Sequence, residues 1–187
     1  MDRISERIKS VIAEKPNAVI GIDGCCASGK TTLAERLAKE FDVQIIHMDD
    51  FFLPPEMRTE SRLSQTGGNV HYERFNDEVV SGLINGSETA YRVFSCKCGD
   101  FTETKTVSPF RPVIIEGSYA FHPEIRIRYD LKIFVKTDCE TQLERILKRN
   151  GREALEVFKS KWIPLENRYF DEFRIEQNCD IIKQTEK

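Results

Sequence analysis

The sequence predicts an α/β domain built on a mostly parallel β-sheet. Short apolar runs alternate with segments of helical periodicity, which is the pattern of βαβ units. The runs are almost continuous in Val and Ile, as in strands covered on both faces. A glycine-rich turn joins the first run to a helix. The predicted strands are residues 18–23, 43–49, 112–117, 131–137 and 180–183, and the predicted helices are about 30–40, 72–85, 138–149 and 153–172.

The N-terminal segment is predicted to be an amphipathic helix. Ile4, Ile8, Val11 and Ile12 recur at helical spacing within a charged stretch. The segment lacks the apolar core of a signal peptide, and the chain has no run of about 18 apolar residues. We therefore expect no membrane partner and a cytoplasmic location.

Two segments do not fit the alternation of strands and helices. Residues 53–71 are rich in Pro, Gly and polar groups, and a loop of that length is usually functional. Residues 91–107 are predicted to form a small hairpin projecting from the sheet. At 187 residues, the chain is predicted to be one domain spanning 1–187.

Charge and cysteine content exclude some classes of partner. The formal net charge of −3 gives no basic footprint, so a nucleic-acid partner is not expected. The six cysteines do not form two separated pairs with zinc-site spacing. We expect reduced intracellular thiols, and a metal or redox role for Cys96 and Cys98 is the less favoured alternative.

The glycine-rich turn is predicted to bind the phosphates of a nucleoside triphosphate. Gly24-x-x-x-x-Gly29-Lys30-Thr31 matches the full P-loop pattern, with a strand before it and a helix after it. Glycines let backbone N–H groups turn inward around phosphate oxygens, and the helix start adds its positive dipole end. Lys30 would contact the terminal phosphates and Thr31 would ligate Mg²⁺. The predicted nucleotide-binding set is Gly24, Cys25, Cys26, Ala27, Ser28, Gly29, Lys30, Thr31 and Thr32.

Acidic residues follow two of the predicted strands. Glu116 ends the third strand and is a candidate magnesium ligand, although it could be an ordinary solvated acid. Asp49 and Asp50 end the second strand, where adjacent side chains point to opposite faces. One carboxylate could therefore accept a proton from an acceptor hydroxyl, or ligate the metal, while its neighbour holds the loop. A capped turn is the alternative interpretation.

Arginines cluster after the fourth strand. Arg145 and Arg149 lie four residues apart, on one helical face, and Arg152 follows the flexible Gly151. Guanidinium groups beside a hinge suit a lid that neutralises a transferred phosphoryl group. The alternative is a solvated basic face paired with Glu144 and Glu153.

These motifs together resemble the uridine kinase-like P-loop kinases, a family that includes uridine–cytidine, nicotinamide riboside and pantothenate kinases. The resemblance covers nearly the whole chain after the first helix. It implies a P-loop NTPase fold with a five-stranded parallel sheet, and ATP- and Mg²⁺-dependent phosphorylation of a small-molecule hydroxyl. The matching segments are GCCASGKTT, MDDFFLP, GGNVHYERF, VIIEGSYAF, LERILKRNGRE, WIPLENRYFDEF and CDIIK.

The resemblance also assigns roles position by position. It implies that Asp49 is the catalytic aspartate and that Glu116 is the acid ending the third strand. Lys30 and Thr31 match the Walker A positions. The lid would span about 145–160 and carry Arg145, Arg149 and Arg152, while 53–71 and 91–107 would enclose the acceptor. Members vary in assembly, so a homo-oligomer stays open.

The chain departs from nucleoside-specific members on the acceptor side. Those members commonly hold the ribose hydroxyls with an aspartate in the segment written here GNVHYERF, where this chain offers His71. Histidine carries no fixed negative charge near neutral pH, so the sequence leaves the acceptor undetermined. Phe51 and Phe52 are interpreted first as core or loop anchors. The weaker acceptor-contact candidates are Phe52, Arg62, Tyr72 and Tyr91.

The resulting hypothesis is a kinase that phosphorylates a nucleoside-like hydroxyl compound. A kinase for a non-nucleoside, pantothenate-like acceptor is the alternative within the enzyme class. A nucleotide-binding switch is the alternative outside that class, but no guanine-selecting NKxD segment is present.

Overall fold

The computed structural model describes residues 2–186, which form a five-stranded parallel sheet flanked by helices and a separate two-stranded hairpin. The strands are Val19–Gly24 (β1), Gln44–His47 (β2), Thr89–Ser95 (β3), Asp100–Val107 (β4), Val113–Glu116 (β5), Leu131–Thr137 (β6) and Ile181–Thr185 (β7). The α-helices are Arg3–Glu14 (α1), Lys30–Phe41 (α2), Glu60–Leu63 (α3), Tyr72–Phe75 (α4), Ser81–Asn85 (α5), Cys139–Val157 (α6) and Ile163–Glu172 (α7).

The main sheet has the strand order β2-β5-β1-β6-β7, and every neighbouring pair is parallel. All six β1 residues are buried, which explains the near-continuous apolar sequence of the central strand. The predicted α/β class and the five-stranded parallel sheet are confirmed. The carboxyl ends of β1, β2 and β5 lie side by side, where ligands bind in open parallel sheets.

One predicted strand is too long. The second strand was expected over 43–49, but β2 ends at His47, and Met48–Phe51 forms a turn of 3-10 helix. Asp49 and Asp50 therefore diverge because of helical geometry and not because of strand alternation. Phe51 is fully buried and packs edge-to-face on Phe75, so it anchors this turn in the core.

Apolar side chains fill both sides of the sheet. On one side, α1 and α2 bury side chains that include Ile8 and Leu37 against Ile22 and Ile133. The other side has a larger core that holds Phe75, Tyr169 and the turn after β2. The predicted N-terminal helix is thus an integral part of the domain.

Two long helical segments are interrupted. The segment predicted at 72–85 is α4 and α5 joined by a π-helical turn, Asn76–Val80. In α6, Gly151 has φ 83° and ψ 176°, which breaks the helix between its two predicted parts. Glycine alone adopts the backbone conformation of Gly151 without strain. A second π-helical turn, Phe158–Trp162, connects α6 to α7.

The predicted hairpin is present as β3 and β4, which pair in antiparallel register from Thr89–Val107 to Ser95–Asp100. It packs against the turn after β2 through Tyr91, whose ring lies 5.2 Å from that of Phe51. The long irregular segment 53–71 contains only a short 3-10 turn and α3.

Substituting Gly24 is predicted to destabilise the fold. Its φ is +141°, and an added Cβ would lie 1.9 Å from the backbone oxygen of Val135. We expect Gly24→Ala to lower the free energy of unfolding by at least about 2 kcal/mol in urea titrations. The matched control is Gly86→Ala, where φ is +66° but no atom lies within 4 Å; it should cost about 1 kcal/mol. Equal costs would show that the close approach at Gly24 is unimportant.

Candidate active site

The predicted phosphate-binding loop connects β1 to α2 in an open conformation. Gly29, with φ 92°, precedes the first residue of α2, and a Cβ added there would meet no atom within 4 Å. The space in front of the helix start is therefore free, and the first amides of α2 face an anion site with a favourable dipole. Ala27 also has a positive φ, 58°, which turns the loop backbone inward.

Lys30 lies beneath this loop with only 8% of its surface exposed. Its ammonium donates hydrogen bonds to the carbonyl oxygens of Gly24 and Cys25, each at 2.8 Å. Ser118 Oγ lies 3.4 Å away. A buried ammonium held at the centre of the loop supplies a positive charge where terminal phosphates would lie.

Thr31 and Glu116 meet at the edge of the sheet, as the sequence predicts for a magnesium site. Thr31 Oγ1 donates to Glu116 Oε1 at 3.1 Å, and His47 Nδ1 lies 2.6 Å from the same oxygen. The hydrogen bond to Glu116 is the main cause of a raised pKa at His47. Glu116 Oε2 is buried and has no hydrogen-bond partner within residues 2–186. A hydroxyl beside an unpartnered carboxylate oxygen is a donor set that fits Mg²⁺.

The two aspartates after β2 have different partners. Asp50 is fixed by the hairpin, because Lys105 Nζ lies 3.1 Å and Tyr91 Oη 3.5 Å from its carboxylate. Asp49 lines the cleft, and no hydrogen bond from another described residue reaches its carboxylate. Of the adjacent pair, Asp49 is the one available to a ligand.

The surroundings of Asp49 raise the pKa of its carboxyl group. Although Asp49 keeps an exposed surface toward the cleft, partial desolvation by the surrounding protein is the largest cause; the positive charge of Lys30 lowers the pKa and the charge of Glu116 raises it. A raised pKa makes a carboxylate a better proton acceptor than an aspartate in water.

The three predicted lid arginines lie in different positions. Arg145 joins the phosphate-binding loop to the C-terminal strand, donating to Ala27 O at 3.3 Å and to Thr185 Oγ1 at 3.1 Å. Arg149 lines the same cleft, where it contacts Asn150. Arg152 is exposed beyond Gly151 and does not line the cleft. Two of the three arginines therefore reach the site in this conformation.

The acceptor-side candidates mostly lie outside the cleft. Phe52 lines it. Arg62 instead pairs with Glu73 at 2.7 Å, and its guanidinium lies 4.0 Å from the centre of the Tyr72 ring. His71 is the N-cap residue that precedes α4, and its buried Nδ1 has no described partner. Tyr91 is 1% exposed and belongs to the core. The structure brings none of these last four side chains to the cleft.

The phosphate-binding loop has a buried acidic neighbour that the sequence patterns did not indicate. Asp23 is completely buried and accepts hydrogen bonds from Gly24 N at 2.7 Å, Phe121 N at 3.1 Å and Tyr169 Oη at 2.7 Å. Burial raises its pKa to about 6, against the effect of these donors. The sequence patterns gave no sign of this role, because two of its three partners, Phe121 and Tyr169, lie 98 and 146 residues away along the chain.

A second acid that the sequence analysis missed is Glu166 of α7, which is 6% exposed. Its carboxylate accepts from Cys26 N at 2.8 Å and from Ser118 Oγ at 2.5 Å. Desolvation, with the nearby Glu166 charge second, raises the pKa of the Cys26 thiol. Glu166 lies one helical turn before Tyr169. One face of α7 therefore contacts both Asp23 at the end of β1 and Cys26 in the loop.

These groups surround one cleft of about 1040 Å³. The volume accommodates a nucleotide and a small second ligand. Of the predicted residues, Cys26, Ala27, Ser28, Gly29, Lys30, Thr31, Thr32, Asp49, Phe52, Glu116, Arg145 and Arg149 line it. Gly24 and Cys25 form the base of the loop behind Lys30.

The described part of the chain contains other features that bear on function. All six cysteines are free thiols. Residues 2–186 hold no group of three or more His, Cys, Asp or Glu side chains placed to bind a metal through protein ligands alone. None of the described helices combines the length and apolarity that crossing a lipid bilayer requires.

Comparison with known proteins identifies the family. Residues 19–154 match the model of the phosphoribulokinase/uridine kinase family. The chain belongs to this family. It is 30% identical to a uridine kinase of Chlamydia pneumoniae over 147 residues, covering 74% of this chain and 64% of that protein. It is 27% identical to uridine-cytidine kinase 2-B of Danio rerio over 197 residues, covering 91% and 73% of the two chains.

A solved structure confirms the fold. A possible uridine kinase from Bacillus stearothermophilus superposes with a TM-score of 0.68 at 21% identity, over 97% of both chains. The resemblance inferred from the motifs is confirmed at the level of family and P-loop kinase fold. The alignment spans under two thirds of the Chlamydia protein (64%).

Removing the Tyr169 hydroxyl is predicted to destabilise the fold in a pH-dependent way. Since burial raises the Asp23 pKa to about 6, protonated Asp23 favours folding, and this contribution is lost as pH rises through that value. Tyr169→Phe removes a donor and raises this pKa further. The loss of unfolding free energy should therefore grow from pH 5 to pH 7.5, reaching about 1–2 kcal/mol.

The matched control is Tyr129→Phe, which deletes a hydrogen bond to the uncharged carbonyl oxygen of Ala120. Its cost in urea titrations should be the same at both pH values. A pH-independent cost for Tyr169→Phe would contradict the role assigned to Asp23.

Proposed function

We propose that this chain is an ATP- and Mg²⁺-dependent kinase that transfers the γ-phosphoryl group to a hydroxyl of a small, nucleoside-like acceptor. The observation that carries the proposal is the placement of Asp49. It is an unpartnered carboxylate with a raised pKa, in the same cleft as Lys30 and the Thr31–Glu116 pair. Membership of the family and the names of the relatives support the same reaction class.

In this mechanism Asp49 accepts the proton of the acceptor hydroxyl. The hydroxyl oxygen forms a bond to the γ-phosphorus while the bond to the bridging oxygen breaks, and ADP leaves with that electron pair. Lys30 and the inward amides of the loop stabilise negative charge on the transferred group. Asp50, tied to Lys105, keeps the turn and therefore Asp49 in position.

The magnesium site is proposed at Thr31 and Glu116, whose free carboxylate oxygen and hydroxyl suit the ion. The ion would supply charge neutralisation between the phosphates. His47, hydrogen-bonded to Glu116, orients that carboxylate. Asp49 remains a second candidate ligand.

Residues of about 145–160 are proposed to act as a lid. Gly151 breaks α6 between the cleft-lining Arg149 and the exposed Arg152. Rotation there would bring Arg152 toward the phosphates and exclude water, which would otherwise consume ATP. Segments 53–71 and 91–107 are proposed to enclose the acceptor, since Phe52 and Cys96 already line the cleft beside them. The proposed location is the cytoplasm. The proposal leaves open whether the chain forms a homo-oligomer.

Asp49→Asn is predicted to lose nearly all phosphoryl transfer while it still binds ATP. Loss of the proton acceptor should reduce acceptor-stimulated ADP formation by roughly 10²–10⁴-fold. The dissociation constant for ATP with Mg²⁺, measured by calorimetry, should change by less than about threefold, because the phosphate-binding loop is intact.

Asp50→Asn is the matched control, since it changes the neighbouring carboxylate that Lys105 holds. It should cost no more than about tenfold, through loosening of the turn. Full activity of Asp49→Asn, or an equal loss in both variants, would refute Asp49 as the base. Slow ADP release that no acceptor stimulates would instead favour a nucleotide-binding switch.

A further inference from the structure

The acceptor side of the cleft contains a positive charge that the sequence analysis did not single out. Its lining residues are Asp49, Phe52, Arg58, Leu63, Asn69 and Cys96. Apart from the base Asp49, Arg58 is the charged residue of this group. The sequence indicated Arg62 as the acceptor-side arginine, but the structure places Arg58 in the cleft instead.

Arg58 is oriented but not neutralised. Its Nε donates to the carbonyl oxygen of Leu53 at 2.9 Å, which fixes the plane of the guanidinium. Within residues 2–186 no carboxylate lies within ion-pairing distance of it. Arg58 is solvent-exposed at the cleft, so its terminal N–H groups are hydrated and accessible to a ligand that enters.

The neighbouring arginines behave differently. Arg62 pairs with Glu73 at 2.7 Å, and Arg74 and Arg92 both pair with Glu78. Arg74 is buried and also donates to the backbone oxygens of Asp50 and Arg92, so its role is structural. Arg58 therefore differs from its neighbours in lacking an acidic partner and in facing the cleft.

Arg58 and the proposed base face the same part of the cleft. Asp49, Arg58 and Cys96 all line the same cleft. One small molecule bound there could contact the Asp49 carboxylate with its hydroxyl and the Arg58 guanidinium with another group. His71, the residue expected at the ribose-binding position, lies outside this part of the lining.

We infer that the acceptor carries an anionic group, a carboxylate or a phosphate, that binds Arg58 while its hydroxyl faces Asp49. This inference rests on the proposed kinase function and specifies its substrate class. A bidentate guanidinium–anion contact fixes orientation as well as affinity. A neutral nucleoside would gain nothing from the guanidinium charge, and its ribose hydroxyls would find no dedicated carboxylate.

The test compares matched pairs of hydroxyl compounds that differ in one anionic group. Orotidine carries a carboxylate that uridine lacks, and pantothenate carries a carboxylate that pantothenol lacks. Ribose 5-phosphate carries a phosphate that ribose lacks. Acceptor-stimulated ADP formation by the full chain is measured for each. In at least one pair the anionic member should have a kcat/KM about tenfold or more above the neutral one.

Substitution of Arg58 shows whether this preference comes from the guanidinium. In Arg58→Gln the anionic preference should fall to within about twofold, and Arg58→Lys, which keeps the charge but not the bidentate geometry, should retain part of it. Arg111→Gln is the control, because Arg111 pairs with Asp42 and does not line the cleft. It should leave the preference unchanged.

Alkylation of Cys96 gives a readout that does not depend on turnover. The preferred anionic compound should slow iodoacetamide labelling of Cys96 in wild type but not in Arg58→Gln, as measured by mass spectrometry of each site. The exposed Cys98 and Cys139 are internal controls and should label at unchanged rates. Arg58-dependent protection by an anionic compound, when no compound of the panel stimulates ADP formation, would support the binding inference and contradict the kinase proposal.

The opposite results overturn the inference. If the neutral member of every pair is used as well as the anionic one, the kinase proposal stands and the anionic substrate class is wrong. If no anionic compound either stimulates turnover or protects Cys96, the class is also wrong. A preference that survives in Arg58→Gln would assign the anion to another residue.

Discussion

The close approach of β1 to β6 at Gly24 is the constraint on which the rest of the site depends. Gly24 has a positive φ, and a Cβ at this position would lie only 1.9 Å from the Val135 oxygen. Because glycine has no Cβ, the chain can pass this close to β6 and turn at once into the phosphate-binding loop. The buried Asp23 carboxylate holds the start of this turn through Gly24 N. Without that geometry, Lys30 would not lie beneath the loop.

Helix α7 links this loop to the rest of the fold. Tyr169 donates a hydrogen bond to Asp23 in β1, and the Glu166 carboxylate accepts the hydrogen bond that the Cys26 amide donates in the loop. A helix far along the chain therefore holds both the end of the strand and the loop that follows it. Helix α7 is connected to α6 through a π-helical turn, and α6 itself is broken at Gly151.

Local patterns in the sequence were sufficient to predict the sheet, the glycine turn between β1 and α2 and the acid at the end of β5, because strand ends and glycine turns have local signatures. They were insufficient for Glu166 and Arg58, whose roles come from contacts made only after folding. The sequence also assigned Asp49 and Asp50 to a strand, although core packing of Phe51 fixes them in a 3-10 turn. Arg62 was indicated by its loop position, but Glu73 and Tyr72 hold it away from the cleft.

A crystal structure with Mg²⁺ and a non-hydrolysable ATP analogue tests the central claim most directly. The account predicts that the triphosphate lies within the loop from Gly24 to Thr31, with its terminal phosphate on the side of Asp49 and with Glu116 near the metal. A triphosphate bound elsewhere in the cleft, or an Asp49 carboxylate turned away from its terminal phosphate in a closed form, would contradict the account.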